Sequence, residues 1–415
     1  MSARDHRDEL FVLVAIVLVT ALGLGTVALL QRDGGDDRTD APTAETSPAT
    51  TEATPTSDPS RTARAGVQVH GSPYVQPCGV LRREEVRQVF GPFSTEGFTR
   101  QQYLDRTPTP RELAGAARLA YGGLTSSCVY ALGDAPGHTV EVVVTQFPAP
   151  ARLARRWGDL RAAGAPVAST SGRMLALADR RSFVIRGDDV VVEVRYSSAN
   201  DALRGRPMSV REVRAQLPQM RRVQGYVTAH LGDGSASAGA QSVADGLGAT
   251  VAGTPYVGPC EIFTGADLAA LGGAAGGAVV VDTSYRRDEQ YTDAPVATCE
   301  RTGSRGDRST FAVLEIRVAA DEDAARQVQA KHLDARYPSR TRIDRVSTTA
   351  GPAYVVDVGG TPALPWRRRA MHLVVGPYEL QLTAVRDVGP DQEAGRAVTD
   401  EQLAAALTAV AARVP

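Results

Sequence analysis

The chain has 415 residues and sets 46 Lys and Arg against 47 Asp and Glu. That length has room for two or three domains with real cores. A net charge of -1 supplies no field to gather nucleic acid or acidic lipid, and aromatics at 5% leave no stacking platform for bases. Lys331 is the single lysine and Asn200 the single asparagine, a bias that reads as a GC-rich genome rather than phosphate recognition.

Residues 1–9 form a short stub ahead of Leu10–Leu30, which carries no charge. As a helix rising about 1.5 Å per residue, that segment is about 30 Å long, the thickness of a bilayer's hydrocarbon core. A cleaved signal peptide would have a shorter apolar core and a small-x-small site after it. Ala28-Leu29-Leu30-Gln31 stands there instead, so residues 10–30 are expected to remain as a single-pass transmembrane anchor. No cysteine lies near its end to be lipidated. Arg4 and Arg7 before the anchor, and four cysteines all after it, put the N-terminus in the cytoplasm and the rest of the chain outside. Residues 31–71 are rich in Thr, Pro, Ser, Ala and acidic residues, and are expected to be a disordered stalk.

A short phrase then occurs twice. Ser72-Pro73-Tyr74-Val75-Gln76-Pro77-Cys78 returns as Thr254-Pro255-Tyr256-Val257-Gly258-Pro259-Cys260. In the first copy, residues 72–232, a helix is expected over Arg82–Phe90, a strand over His138–Phe147 and a helix over Ala149–Ala163. A hairpin turning at Gly187-Asp188 follows, then a helix with Pro218 in its first turn. A Gly/Ala/Ser linker spans 233–253. In the second copy, residues 254–415, Thr264 caps a helix, Ser309–Ala319 is a strand and Asp321–Arg336 a helix. Pro352–Val358 is a strand, a hairpin turns at Gly376-Pro377, and Thr399 with Gln402 forms the capping box of a last helix. Helix, strand, helix, strands, helix, twice over, predicts an α+β fold of two duplicated domains. Each is an antiparallel sheet with helices packed on one face.

Each copy holds two cysteines, Cys78 and Cys128, then Cys260 and Cys299. Four cysteines allow three pairings. Duplication selects Cys78–Cys128 and Cys260–Cys299, because each repeat folded alone before it was copied. Closing loops of 50 and 39 residues removes unfolded-state entropy worth about 4 kcal/mol each. There is no CxxC and no histidine within a few residues of any cysteine, so the metal and redox readings are the weaker ones.

The box Pro259-Cys260-Glu261-Ile262-Phe263-Thr264 to Gly272, followed by Ala297-Thr298-Cys299, resembles the domain-of-unknown-function 3558 family of actinobacterial cell-envelope lipoproteins. The fold this implies is similar to the disulfide-stapled extracytoplasmic sensor domain of mycobacterial receptor kinases. The resemblance covers about 160 residues of the second half. In the first half it reduces to Pro77-Cys78, the Val86–Gly91 helix end and Ser127-Cys128, and Gly79 stands where the family has an acidic residue. Family members carry a lipidated cysteine; this chain has the apolar segment 10–30 in its place. The resemblance implies no enzymatic activity and no cofactor.

No HExxH, GxSxG, Walker A or complete GxGxxG occurs. The six histidines are spread one per segment, His372 reading as a core or edge residue of a strand. Glu84-Glu85, Asp188-Asp189 and Asp321-Glu322-Asp323 sit at helix starts and turns, where carboxylates complement the helix dipole or favour the turn. Two stretches stand out as ligand or partner surfaces. Trp366-Arg367-Arg368-Arg369 follows two prolines on a stiff loop suited to an anionic ligand, and Tyr285-Arg286-Arg287 to Tyr291 alternates aromatic and charged groups. The reading is a non-enzymatic, membrane-anchored extracytoplasmic binding or sensor module of the cell envelope. Its partner would be a small molecule, a lipid or an envelope protein, and not nucleic acid. An envelope scaffold is the alternative; a wall or lipid hydrolase is a second one, for which no motif is present.

Overall fold

The computed structural model describes residues 66–91, 98–110, 112–113, 121–132, 138–166, 173–197, 207–237, 250–251, 253–255, 257–272, 277–287, 292–305, 308–337, 341–358, 368–388 and 398–415. The stub, the anchor segment and nearly all of the stalk lie outside these residues. Among the described residues no helix is long and apolar enough to cross a membrane.

The first half opens with β1 (Gln68–Val69) and β2 (Ser72–Pro73), joined through His70 and Gly71 at φ 55° and 84°. The hairpin delivers Pro77 into the first turn of α1 (Pro77–Val80). Helix α2 (Arg83–Phe90) starts where Glu85 Oε2 accepts the Arg82 backbone N–H at 2.8 Å, and it stops at Gly91, φ 110°. Then come β3 (Thr99–Leu104), β4 (Leu124–Ala131), β5 (Thr139–Gln146), α3 (Pro150–Ala163), β6 (Ala165–Pro166), β7 (Met174–Leu177), β8 (Ser182–Arg186), β9 (Val190–Ser197) and α4 (Val210–Gly232). Helix α4 begins two turns earlier than Pro218 suggested. Ser209 Oγ accepts from Glu212 N while Glu212 reaches back to Ser209 N, so Pro218 falls in the helix interior. A capping box outweighed the proline.

The second half opens with β10 (Thr250–Val251) and β11 (Thr254–Pro255), then α5 (Pro259–Ile262) and α6 (Gly265–Ala270). Strands β12 (Val279–Arg287), β13 (Pro295–Arg305) and β14 (Arg308–Val318) lead to α7 (Glu322–Arg336), whose N-cap Asp321 accepts from Ala324 N at 2.8 Å. After β15 (Ile343–Thr348), β16 (Gly351–Val358), β17 (Arg368–Val375) and β18 (Tyr378–Val388), the chain ends in α8 (Asp400–Ala411).

The strands beyond the two opening hairpins form one antiparallel sheet of 14, in the order β15-β16-β17-β18-β14-β13-β12-β3-β4-β5-β9-β8-β7-β6. From the central pair β12/β3 outward, the two halves take the same strand order. The register agrees as well. Cys128 stands opposite Gln101 and Val142, Cys299 stands opposite Asp282 and Leu314, and Gln101 stands opposite Asp282 across the seam. The seam is also tied by side chains: Ser284 Oγ accepts from Thr99 N at 2.9 Å, and buried Arg301 pairs with Asp105. Both disulfides, Cys78–Cys128 and Cys260–Cys299, are present.

Helices cover both faces of this sheet, which corrects the expectation of one. On the cysteine-bearing face, α1, α2 and α4 pack through Val80, Val86, Met220, Val223 and Val227, and α5, α6 and α8 through Leu268, Leu403 and Leu407. On the reverse face α3 sets Leu153, Trp157 and Leu160 against Leu175, Val184 and Val191, while α7 sets Leu333 against Val356, beside Tyr337. The reason is in the outer strands. Met174–Leu177 is buried at all four positions, and a strand apolar on both sides needs a layer on both sides.

Candidate functional site

The reverse face of the second half carries charge in its interior. Alternation along each strand puts Glu315 and Arg317 of β14, Glu379 and Gln381 of β18 and His372 of β17 on the side covered by α7, which contributes His332 and Arg336. The side chains of His332, His372 and Glu379 are 0% exposed and that of Arg317 2%.

Their hydrogen bonds close on one another. Glu379 Oε2 accepts from Arg317 Nη1 at 2.9 Å, and Glu315 accepts from Arg317 Nη2 at 2.6 Å and from Arg336 Nη1 at 3.0 Å. Arg336 Nη1 also lies 3.0 Å from Gln381 Oε1 and 3.3 Å from His332 Nε2. A guanidinium only donates, so His332 Nε2 accepts and its ring proton sits on Nδ1, 3.6 Å from Glu379 Oε1. The Tyr337 hydroxyl, whose pKa burial raises, lies 3.0 Å from His372 Nε2. That leaves His372 Nδ1 to donate to Glu379 Oε1 at 2.8 Å. Burial alone would raise Glu379, but Arg317 and the two imidazoles hold it well below the usual carboxylate range. Glu315 is likewise depressed, burial being outweighed by Arg336, Arg317 and His332. Burial lowers His372 despite the pull of Glu379.

One nitrogen each from His332 and His372 and one oxygen of Glu379 lie within 4.8 Å of one another, a donor set suited to zinc. In this arrangement, however, both Nδ1 atoms carry protons, that of His372 donated to the oxygen at 2.8 Å and that of His332 on a nitrogen 3.6 Å from it. Freeing His332 Nδ1 for a cation would turn an Nε2 proton onto the Arg336 guanidinium. The geometry is that of a closed ionic network.

At the matching grid positions the first half is mostly apolar, with Glu193 at the place of Gln381 and Arg195 at that of Thr383. Where β14 and β18 pair Arg317 with Glu379, β5 and β9 pair Thr145 with Val191; His372 corresponds to Val184 and His332 to Leu160. At Arg336 the first half has Gly164, where a Cβ would meet Leu177 Cδ2 at 2.6 Å.

Of the two stretches singled out from sequence, Arg368, Arg369, Tyr285, Arg286 and Arg287 are among the described residues. Arg368 and Arg369 point to opposite faces, and Arg369 pairs with Asp357 at 3.0 Å and Asp400 at 2.8 Å. Trp366 and Arg367 lie outside the described residues, as does Tyr291. Tyr285 is buried and donates to Val257 O at 3.2 Å, anchoring the opening of the second half rather than presenting an edge. Arg286 and Arg287 continue β12 opposite Val296 and Pro295. The ionic layer escaped sequence reading because its members come from four elements spaced along the chain. The alternation of polar residues through Glu315, Arg317, Glu379 and Gln381 was its one local signal.

A second constellation resembles a nucleophilic triad. His230 stands with Nδ1 2.8 Å from Ser235 Oγ and Nε2 2.6 Å from Glu85 Oε1. Its counterpart explains it. In the second half Arg413, just past α8, bonds Asp267 at 2.7 and 3.0 Å, and Asp267 is the capping-box acid of α6 as Glu85 is of α2. In both halves a side chain at the end of the last helix bonds the capping-box acid of an early one, so the His230 arrangement is structural.

No family model matches this chain, and no curated protein sequence matches it. Among solved structures, crystal form I of TP0453 is similar at 9% identity and a TM-score of 0.28, over 81% of this chain and 99% of that one. A likeness that loose carries no argument about fold or function.

Proposed function

We propose that this chain is a non-enzymatic binding or sensor module of the cell envelope, anchored by residues 10–30 and displayed outside the membrane. It arose by duplication of one disulfide-stapled domain of the kind its Pro259–Gly272 box resembles. The shared strand order, the matching disulfides and the Gln101–Asp282 pairing at the centre support duplication. The observation that carries the binding reading is the ionic layer under α7, set against the apolar layer under α3. A buried ion pair is a poor source of stability, and an apolar replacement of similar volume is often neutral or better by about 1–4 kcal/mol. A layer that one copy builds mostly from hydrocarbon and the other from six charged or imidazole groups therefore answers to something besides folding.

The test is to convert the second layer to first-half residues, E315V, R317T, H332L, R336G, H372V and E379V together, and to measure denaturant unfolding. Stability equal to or above the parent chain is expected. A loss of several kcal/mol, with the rest of the fold intact, would show that the layer is there to hold the fold and would remove the support for binding. Location is tested separately by membrane-impermeant thiol labelling of intact cells before and after reduction. All four cysteines should label only after reduction; free thiols on all four contradict an exported protein.

A further inference from the structure

The ionic layer is not sealed at the C-terminal end of α7. Arg336, in the last turn, leaves 26% of its side chain exposed while bonding Glu315 and Gln381. Arg368 opens β17 opposite Val358, on the same side as Ala370 and His372, and is half-buried. Its Nε is buried and has no hydrogen-bond partner among the described residues. Burial disfavours its charge, and so does the Arg336 guanidinium, against weaker pulls from Tyr337 and Glu315. Among the described residues of the layer, the carboxylates of Glu315 and Glu379 stand against the guanidiniums of Arg317, Arg336 and Arg368, two acids to three bases. Thr383, opposite Ala370, is half-buried; its Oγ1 accepts from Gln381 Nε2 at 3.0 Å, leaving the hydroxyl proton to donate.

We propose that Arg336, Arg368 and Thr383 form a binding site for a phosphate or phosphomonoester anion at the mouth of the ionic layer. A phosphate offers paired oxygens to guanidinium N–H donors, and charge-assisted bonds of that kind are the strong ones. It would set a further negative charge against the three bases and satisfy the buried Nε. The carboxylate of Glu315 does not oppose this, because two guanidiniums already bond it. In the first half the matching positions are already taken up: Arg195, at the Thr383 position, bonds Glu141 and Glu193 at 2.8 Å each. Gly164 leaves no room for a side chain at the Arg336 position, and Arg180, at the Arg368 position, is 51% exposed with Glu193 at 4.0 Å. Arg369, next in sequence, is matched by two aspartates on the other face.

The proposal rests on the binding-module reading and names the chemistry of its ligand. The full chain in neutral-detergent micelles is titrated calorimetrically with inorganic phosphate and, separately, with dihexanoyl phosphatidic acid, at constant ionic strength set by chloride. Saturable one-to-one binding is expected, weakened at least tenfold by Arg368→Gln, partly retained by Arg368→Lys and unchanged by Arg369→Gln. The Arg368→Gln chain should melt at the parent temperature without ligand. Equal affinity for the two probes marks a free anion as the source, and a tenfold gain for the lipid marks a headgroup; either outcome supports the site. No saturable binding of either probe, or the same affinity in Arg368→Gln, overturns it. The layer-conversion experiment reads stability alone, so its result separates failure of this site from failure of the broader reading.

Discussion

Two helices, α3 and α7, lie on the same face of one sheet, at corresponding places in its two halves, and cover opposite kinds of surface. Under α3 the contact is Leu153, Trp157 and Leu160 on Leu175, Val184 and Val191. Under α7 it is His332 and Arg336 on Glu315, Arg317, His372, Glu379 and Gln381. Strand order and register are shared, so backbone architecture did not dictate which chemistry fills the gap. The same gap can be closed by dispersion and dehydration or by a hydrogen-bonded ionic lattice. Only the second offers groups that a polar ligand could use, and it does so at a high cost for any mismatch, because an unpaired charge there has no water to turn to.

The largest effect that would sharpen this contrast is at Glu379. Glu379→Leu strands Arg317 Nη1 and the Nδ1–H of His372, and should destabilise the chain by about 3–5 kcal/mol. The counterpart Val191→Ala should cost no more than about 2 kcal/mol. Comparable losses at the two positions, measured by denaturant unfolding, would erase the distinction. Next is the helix side. Trp157→Ala should cost about 3–5 kcal/mol through the cavity it leaves. Gln329→Ala, at the matching position of α7, should be within about 1 kcal/mol of neutral, because Gln329 Nε2 is buried without a hydrogen-bond partner. A Gln329 variant as damaging as the tryptophan one would mean that α7 is held by packing after all.

The smallest effect is with pH. His372 is lowered in the fold, so the unfolded chain binds more protons once pH falls below about 6.5, and stability begins to drop there. Glu379 and Glu315 are also depressed, and their contribution is full above about 4.5 and lost as pH falls below it. Amide exchange in α7 should therefore quicken from pH 6.5 toward pH 4 relative to that in α3, whose buried contacts are Leu153, Trp157 and Leu160 on hydrocarbon. Equal acceleration in the two helices would break the comparison.

Much of the fold was legible because its signals are local. Alternation in Val140, Val142 and Val144, the Thr399–Gln402 capping box and the repeated Pro-Tyr-Val-x-Pro-Cys phrase each act within a few residues, and the structure has a strand, a helix and a helix turn at those places. Ser209-x-x-Glu212 was an equally local signal, hidden behind the louder proline at 218. The site was illegible for a different reason. Arg368 and Arg369 are neighbours in sequence yet separate to opposite faces, because alternate residues of a strand must. His332 and Glu379, far apart in sequence, meet because a helix is laid across a hairpin.

What the amino-acid order settled alone is most of the helices and the clearly alternating strands with their apolar faces, since hydrophobic period and capping act over one or two turns; the strands at the seam, β3, β4, β12 and β13, were not among them. The folded arrangement decided the rest: that two seven-stranded sheets join through β3 and β12, that helices lie on both sides, and that charge rather than hydrocarbon fills one of two matching gaps. Those outcomes depend on which distant groups desolvate one another, and the free energy of a buried charge is set by its neighbours in space.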